Sequence, residues 1–539
     1  GGLAVRHYFP LDGEYLIKVN MLRTYTDRIR GLAEPHQLEI RLDGQLIKQF
    51  VTGGGLDTDG NPKTAEQRTK ESQLGDTDLI VRFPSTAGPH VVSVGFLRRT
   101  LSPEGFLQPQ FAVTSYTYAG DTNVLPSVSS IDIRGPYSSQ GVGDTPSRRK
   151  IFICQPANTS TDNSCAHQIL SVLARRAYRR PISNADLEVL LSFFEAGRAA
   201  AGFDSGIQQA IEKILVTPDF LFRFEPNTAS ALALQSNRKN LALASRLSFF
   251  LWSSIPDEEL LTLAEQGRLS QPEILETQVR RMLADPRSNA LVNNFVSQWL
   301  QLRNLRLASP DPYTFPYFDE NLREASQREM ELFLESQLRE NRPVTDLLTA
   351  DYTFVNERLA AHYNIPNVYG NHFRRVTLIN PARWGLLGKA SVLTVTSYPN
   401  RTSPVVRGKW LLENILGMPP PPPPPDVPDL EDPEPGKVSL SMRARMEQHR
   451  VNPTCASCHQ VMDPLGFALE NFDATGQWRF TTDGKTPIDT SGSLPNGTTF
   501  TGPVDFREAL VGDHDTFMRT FTEKLFTGSF CNISIVKYI

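Results

Sequence analysis

The chain has 539 residues, of which 40% are hydrophobic and 21% are charged, enough apolar material for several buried cores. The formal net charge is -4 and the pI is near 6.2. The chain therefore lacks the positive electrostatic field that is typical of nucleic-acid-binding proteins. The most apolar stretch, residues 241–252, is interrupted by polar side chains and falls short of the ~20 residues that span a bilayer, so we expect neither a nucleic-acid partner nor a transmembrane segment.

Residues 1–124 are predicted to form an antiparallel β-sandwich. Apolar and polar residues alternate through YLIKVNML, LEIRLDGQLIKQF, DLIVRFP and HVVSVGFL, and Asp43-Gly44 is expected to form a two-residue hairpin turn. Short alternating strands of this kind indicate a two-sheet domain of roughly 100 residues. The segment 125–153, rich in Pro, Ser and Gly, is predicted to be a linker with at most one short strand.

Residues 154–365 are predicted to form a central all-α domain. Apolar stripes with helical spacing recur between residues 166 and 363, and several of them begin at Ser, Asp or Pro. Acidic pairs on these helices are interpreted as solvated faces. A helical segment, 366–426, follows; its helix is expected to begin at Pro404, and it ends in seven consecutive prolines, 419–425, interpreted as a stiff polyproline connector.

Residues 427–539 are predicted to form a mostly α-helical c-type haem domain because they contain the pentad CASCH, residues 455–459. Chance placement predicts only about 0.001 such pentads in a chain of this composition. Pro453-Thr454 can start a helix and Asp463-Pro464 is expected to end it. On that helix Cys455, Cys458 and His459 share one face, so two thiols can attach to a haem edge while the imidazole binds the iron.

Two other roles for the pentad remain open. Zinc needs about two further thiol or imidazole ligands, and Cys154, Cys165 and Cys531 supply no second C-x-x-C pair. A redox dithiol usually lies between a strand and a helix, which fits poorly after a proline-rich connector. We therefore predict haem c, one in this chain.

Several side chains are candidates for the second axial ligand of the iron. The predicted helix LSMRARMEQHR precedes the pentad and contains Met442, Met446 and His449, while His514 and Met518 lie downstream. We slightly favour His449 as the distal iron ligand and predict that Arg479 contacts a haem propionate. An iron without a distal ligand would suit peroxide or oxygen chemistry.

Stretches along nearly the whole chain resemble one family. The stretches are RHYFPLDGEY, IRGL, LEIRLDG, GPYSSQGVGDTPSRRKIFIC, CAHQILSVLARRAYRRPIS, ILVTPDFLFRFE, RLSFFLWSSIPDEEL, RTSPVVRGKWLLENILGMPPPPPPP and NPTCASCHQVMDPLGFALENFDATGQWR. They are similar to the planctomycete-type multidomain cytochrome c-like proteins, which are exported and are assembled from domains of unassigned function.

The resemblance implies an exported, periplasmic or extracellular, bacterial haem protein. It maps Cys455, Cys458 and His459 onto the family's haem motif, and it implies a disulfide between Cys154 and Cys165. The polar loop between these two cysteines independently suits an oxidising compartment. Family members usually carry another haem-binding segment upstream, so any second haem is expected outside this sequence.

We interpret the protein as an extracytoplasmic c-type cytochrome that exchanges electrons with a redox partner protein, and we leave open an oxidoreductase activity. The alternatives are a binding or assembly scaffold with a structural or relay haem, and a peroxidase-like haem enzyme. A β-sandwich beside a cytochrome also suggests polysaccharide binding, by analogy of fold alone.

A calcium site in the N-terminal domain is a weaker possibility. Asp57, Asp59 and Asn61 resemble the start of a calcium loop, in which alternating oxygens surround the cation. Pro62 and Arg68 stand where such a loop requires glycine and glutamate, and this favours a solvated loop.

Overall fold

The structure is a computed structural model. It describes residues 2–23, 27–29, 31–57, 59–97, 126–139, 143–156, 161–222, 232–311, 314–421, 442–451, 453–481 and 486–531. Within these ranges, the side chains of residues 232–237, 449, 453–455, 457 and 528–531 are not described. The chain divides into two compact units, residues 1–169 and 170–539.

The first unit contains two antiparallel sheets that share one hydrophobic core. Its elements are β1 (Leu3–Phe9), β2 (Gly13–Met21), β3 (His36–Leu42), β4 (Gln45–Thr52), α1 (Ala65–Leu74), β5 (Ile80–Ser85), β6 (Gly88–Phe96), β7 (Val128–Tyr137) and α2 (Pro146–Ile151). The strand orders are β1-β6-β3-β4 and β5-β2-β7. Phe9 of the first sheet packs edge-to-face on Tyr15 of the second at a centroid distance of 4.5 Å. The predicted antiparallel sheets are confirmed.

The hairpin between β3 and β4 is as predicted, whereas the segment predicted as a linker, 125–153, contains a long strand. Asp43 and Gly44 both have positive φ, 49° and 82°, which is the two-residue turn expected between β3 and β4. β7, ten residues long, lies in the segment predicted as a linker and pairs with β2. Because β7 is an edge strand with no fully buried residue, it needs no apolar alternation and carries little signal in the sequence.

The second unit is mainly helical, and the boundary with the first lies inside α3. Its elements are α3 (Asp162–Tyr178), α4 (Asn184–Ala201), α5 (Phe203–Leu215), α6 (Pro218–Leu221), α7 (Leu232–Trp252), α8 (Glu258–Glu265), α9 (Pro272–Ala284), α10 (Asn289–Leu291), α11 (Ser297–Trp299), α12 (Glu320–Arg339), α13 (Asp346–Thr349), β8 (Tyr352–Val355), α14 (Glu357–His362), β9 (Arg374–Thr377), α15 (Ala390–Val395), α16 (Pro404–Leu411), α17 (Met442–His449), α18 (Pro453–Phe467), β10 (Ser491–Ser493), β11 (Thr499–Thr501), α19 (Gly502–Gly512) and α20 (His514–Cys531). Short 3₁₀ turns occupy 286–288, 302–306 and 381–383. The helical remainder expected from the sequence is confirmed, and β8 with β9 adds a small antiparallel pair to a region predicted to be purely helical.

Local capping explains several helix starts. The side chain of Ser183 accepts a hydrogen bond from the amide of Asp186, whose carboxylate in turn accepts from the amide of Ser183, which is a capping box. The side chain of Asp257 caps α8 by accepting a hydrogen bond from the amide of Leu260. Ser403 caps α16, and Pro404 is its first residue, as predicted.

One hydrophobic cluster joins the central helices to the C-terminal ones. Two π-helical segments, 292–296 between α10 and α11 and 412–416 after α16, lie at this junction. The indole of Trp299 donates to the carbonyl of Asn414 at 2.9 Å, and that of Trp410 donates to the carbonyl of Leu300 at 3.2 Å. The second unit is therefore built around a core that runs from α7 to α20.

Helix α18 starts where predicted but ends later. It begins at Pro453 and continues through Pro464 to Phe467, so the expected end at Asp463-Pro464 is wrong. A proline inside a helix removes one backbone hydrogen bond. Packing outweighs this loss here, because Leu465 and Phe467 beyond the proline are almost fully buried.

Candidate functional site

Helix α18 contains the whole pentad, so Cys455, Cys458 and His459 lie at the predicted i, i+3 and i+4 positions of a real helix. Cys458 is a reduced, partly buried thiol that packs against the main core. The side chain of His459 is 19% exposed. The side chain of Cys455 lies outside the described residues.

His459 is held by a buried carboxylate one turn further along α18. Its Nδ1 lies 2.9 Å from Oδ1 of Asp463, whose side chain is completely buried. A carboxylate accepts hydrogen bonds, so this contact favours the tautomer that carries its proton on Nδ1, and in that tautomer Nε2 is the nitrogen that can bind a metal. Sequence reasoning missed Asp463, although its spacing of four residues from a helical histidine was visible.

Helix α17 brings an arginine to the same carboxylate. Nε of Arg450, just after α17, lies 3.8 Å from Oδ2 of Asp463. At the other end of α17 the guanidinium of Arg443 lies over the ring of Phe467, 4.1 Å from its centroid, and donates to the carbonyl of Ser491 at 2.6 Å. The helix that precedes the pentad is thus docked on α18 at both ends.

Helix α16 approaches α18 so closely that only glycine fits at two positions. A Cβ at Gly408 would lie 1.8 Å from the carbonyl oxygen of Met462, and a Cβ at Gly466 would lie 1.8 Å from that of Pro404. Each glycine thus faces the backbone of the other helix. This contact fixes α18 against the core without intervening side chains.

A buried arginine on α16 holds the chain that follows α18. Arg407 is fully buried, and it donates to the carbonyls of Leu469 and Phe472, both at 2.8 Å, and to that of Asp473 at 2.8 Å. Burial lowers its pKa to about 10. Glu470 lies 3.4 Å from the Arg407 guanidinium and balances its charge.

Arg479, predicted to contact a haem propionate, belongs to this network. Its Nη2 donates to Oε2 of Glu470 and to Oγ1 of Thr402, both at 3.0 Å, and its Nε donates to the carbonyl of Glu470 at 3.1 Å. The contact with haem stays a prediction. The structure explains Arg479 as the second positive partner of the buried Glu470.

The candidate distal ligands lie on two helices, α17 and α20. His449 is the last residue of α17, but its side chain is not among those described, so its role as an iron ligand stays a prediction. Met446 is buried and Met518 is exposed, and the exposed His514, the first residue of α20, lies 3.5 Å from Asp515. Met462, three residues beyond His459 on α18, is buried in the main core.

The two cysteines that the resemblance pairs are bonded to each other. Cys154 and Cys165 form a disulfide that closes a loop with a sequence separation of 11.

In the proposed calcium loop, Oδ1 of Asp57 accepts from the amides of Asp59 at 3.0 Å and Asn61 at 2.8 Å. Capping of its own turn is therefore a structural role for Asp57.

A second buried polar network was missed by sequence reasoning. Glu329 on α12 is completely buried, so the interpretation of acidic helix residues as solvated is wrong at this position. Its carboxylate accepts from the hydroxyl of Tyr363 at 2.6 Å and lies 3.7 Å from Nζ of the equally buried Lys389. Burial lowers the pKa of Lys389 to about 8 and raises that of Tyr363. Full burial indicates a structural network that joins α12, α14 and α15.

Two cavities lie elsewhere in the second unit. One, of about 640 Å³, lies between α8 and α9; the other, of about 560 Å³, lies beside the two π-helical segments and α20. Neither lining includes Cys458 or His459. These cavities therefore do not extend the candidate site.

The donor set of α18 fits a covalently attached haem. A reduced thiol at 458 and an imidazole with its Nδ1 fixed by Asp463 are the chemistry that such a group requires. Among the described residues, no group of three or more His, Cys, Asp and Glu is arranged to hold a metal ion on its own. In the same part of the chain, no helix combines the length and apolar character needed to cross a membrane.

Three segments of the chain match family models. The first begins five residues before the second unit, and the other two lie within it. PSD5, a protein of unknown function (DUF1595), matches residues 165–225; PSD4, a protein of unknown function (DUF1592), matches 239–365; PSCyt3, a protein of unknown function (DUF1588), matches 383–482. These are planctomycete cytochrome c-like domains of unassigned function, as the resemblance suggested. The PSCyt3 match extends from α15 through α18 and includes the pentad. No curated protein and no solved structure matches the chain.

Proposed function

We propose that the chain is an extracytoplasmic c-type cytochrome in which Cys455 and Cys458 anchor one haem and His459 binds its iron. The observation that carries the proposal is the C-x-x-C-H pentad on one helix, with the Nδ1 of His459 engaged by Asp463. The PSCyt3 match over residues 383–482 supports it. When bound, haem c supplies an iron that alternates between two oxidation states and so carries one electron.

The chain's own residues would hold this site rigid. Gly408 and Gly466 keep α18 against α16, and Arg407 fixes the segment behind it through three carbonyls. Rigid ligands reduce the reorganisation that accompanies a change of charge. The arrangement thus suits electron transfer with a redox partner protein.

The disulfide between Cys154 and Cys165 supports an oxidising compartment, periplasmic or extracellular, because such bonds are rare in the cytosol. Covalent haem attachment would take place on the same side of the membrane. Polysaccharide binding by the two-sheet unit and calcium binding at Asp57 remain proposals that rest on fold analogy and on the loop sequence.

A peroxidase-like haem enzyme is the second candidate. The hydrogen bond from His459 to a buried carboxylate favours it, because such a bond raises the basicity of the imidazole as a ligand. Oxidised protein that is low-spin and slow to bind cyanide would support the carrier. If His449 is the distal ligand, His449→Ala would become high-spin and bind cyanide quickly; an unchanged spectrum would exclude His449.

The haem assignment is tested by producing the chain in a bacterial periplasm together with a haem-attachment system. Denatured, acid-precipitated wild type should keep its colour and show a mass gain of one haem. The variant C455S/C458S should be colourless, whereas C154S/C165S, which removes the other cysteine pair, should keep its haem. A colourless wild-type pellet from cells that load a reference cytochrome would rule the proposal out.

A further inference from the structure

The environment of Asp463 is unusual for a helical ion pair. Aspartate is almost never fully buried unless it is paired, and here the carboxylate is fully buried. One oxygen, Oδ1, accepts from His459 at 2.9 Å. The other, Oδ2, makes no hydrogen bond within the described part of the chain, and its charged neighbour there is Arg450, with Nε at 3.8 Å.

Burial of such a carboxylate is unfavourable unless its partners compensate. The packing of α18 does not require a charge at this position, since Met462 and Leu465 on either side are apolar core residues. The carboxylate instead directs its hydrogen bond to the histidine of the pentad. Its position is therefore best explained by what it does to His459.

We propose that Asp463 is a positioning residue that fixes the ring of His459 and lowers the reduction potential of the haem iron, and that Arg450 moderates this effect. The inference rests on the proposed function. A carboxylate that accepts the Nδ1 proton increases the electron density on Nε2, and a more basic ligand stabilises the oxidised iron. Arg450 draws negative charge towards Oδ2 and so weakens the hydrogen bond on Oδ1.

Two substitutions should therefore move the midpoint potential in opposite directions. Asp463→Asn keeps an oxygen that can accept from Nδ1 but removes the charge, so the potential should rise. Arg450→Gln removes the positive charge beside Asp463, so the potential should fall. Because Arg450 acts through Asp463, its effect should shrink in the double variant D463N/R450Q.

Glu447→Gln is the matched control. Glu447 lies 3.8 Å from the same arginine and is 53% exposed. The control loses one negative charge, as Asp463→Asn does, but at a position screened by water. Its midpoint potential should change least of the four variants.

The experiment is a spectroelectrochemical titration of the full chain with haem attached, after denatured spectra have shown equal haem content. An unchanged potential in Asp463→Asn would overturn the inference. If that variant does not fold, Arg450→Gln provides the test. A midpoint potential of Arg450→Gln equal to that of Glu447→Gln would then overturn the inference. A wild type that takes up no haem would instead remove the proposed function, which separates the two failures.

Discussion

Gly408→Ala tests the helix contact that holds the candidate site. The new methyl group would lie 1.8 Å from the carbonyl oxygen of Met462, whereas ordinary contact begins at 3.4 Å. The obstacle is backbone in the middle of α18, so no side-chain rotation can relieve the clash. Helix α16 would have to move away from α18 and from the core behind it.

The expected loss is about 2 to 3 kcal/mol. Overpacking of a well-packed contact costs about 1 to 3 kcal/mol, and an obstacle made of backbone places this case at the upper end. The higher helix propensity of alanine offsets at most about 1 kcal/mol. Gly466→Ala meets the carbonyl of Pro404 at the same 1.8 Å, so it should be destabilised by a similar amount.

Tryptophan fluorescence is the suitable assay, because all five tryptophans of the chain lie in the second unit. Denaturant unfolding followed in this way reports on the unit that contains α16 and α18. Gly512→Ala is the control: Gly512 ends α19, and a Cβ there would meet nothing within 4 Å. It should be neutral or up to about 1 kcal/mol more stable. Equal midpoints for Gly408→Ala and Gly512→Ala would refute the close approach of the two helices.

Two further predictions concern stability. The variant C154S/C165S lacks the disulfide, which closes a loop with a sequence separation of 11. On the chain-entropy model this loss should destabilise the first unit by about 3 kcal/mol. A calorimetric transition equal to that of the oxidised wild type would contradict this expectation. Burial lowers the pKa of His362 from 6.5 to about 4, so within this window the unfolded chain binds a proton that the folded protein does not. The stability of the second unit should therefore fall as the pH decreases from 6.5 towards 4. The variant His362→Gln should show a weaker pH dependence in fluorescence-monitored unfolding. Parallel pH profiles of wild type and His362→Gln would show that His362 is not responsible.

The features predicted correctly have local causes. Asp43-Gly44, Pro404 and Pro453 act through their own backbone preferences, so the hairpin and two helix starts were visible in the sequence. The end predicted for α18 at Pro464 is wrong because it follows from the same kind of local preference. In the structure, burial of Leu465 keeps the helix intact beyond the proline.

Long-range partners account for what the sequence did not show. Glu329 looks like any acidic residue of an amphipathic helix, and only the fold brings Tyr363 and Lys389 to its carboxylate. Asp463 likewise carries a spacing signal, but the sequence does not show that its side chain is completely buried. Periodicity indicates which face of a helix is apolar, and it does not indicate which polar residue is enclosed with that face.

The glycine contact between α16 and α18 also determines where the protein can be cut. The proline run from residue 419 looks like a convenient place to separate a C-terminal fragment for expression. A fragment that begins at residue 427 would lose α16, and with it Arg407 and the surface that faces Gly466. The carbonyls of Leu469, Phe472 and Asp473 would then have no guanidinium donor from α16. The smallest fragment that retains both helices and this arginine has to begin before residue 404.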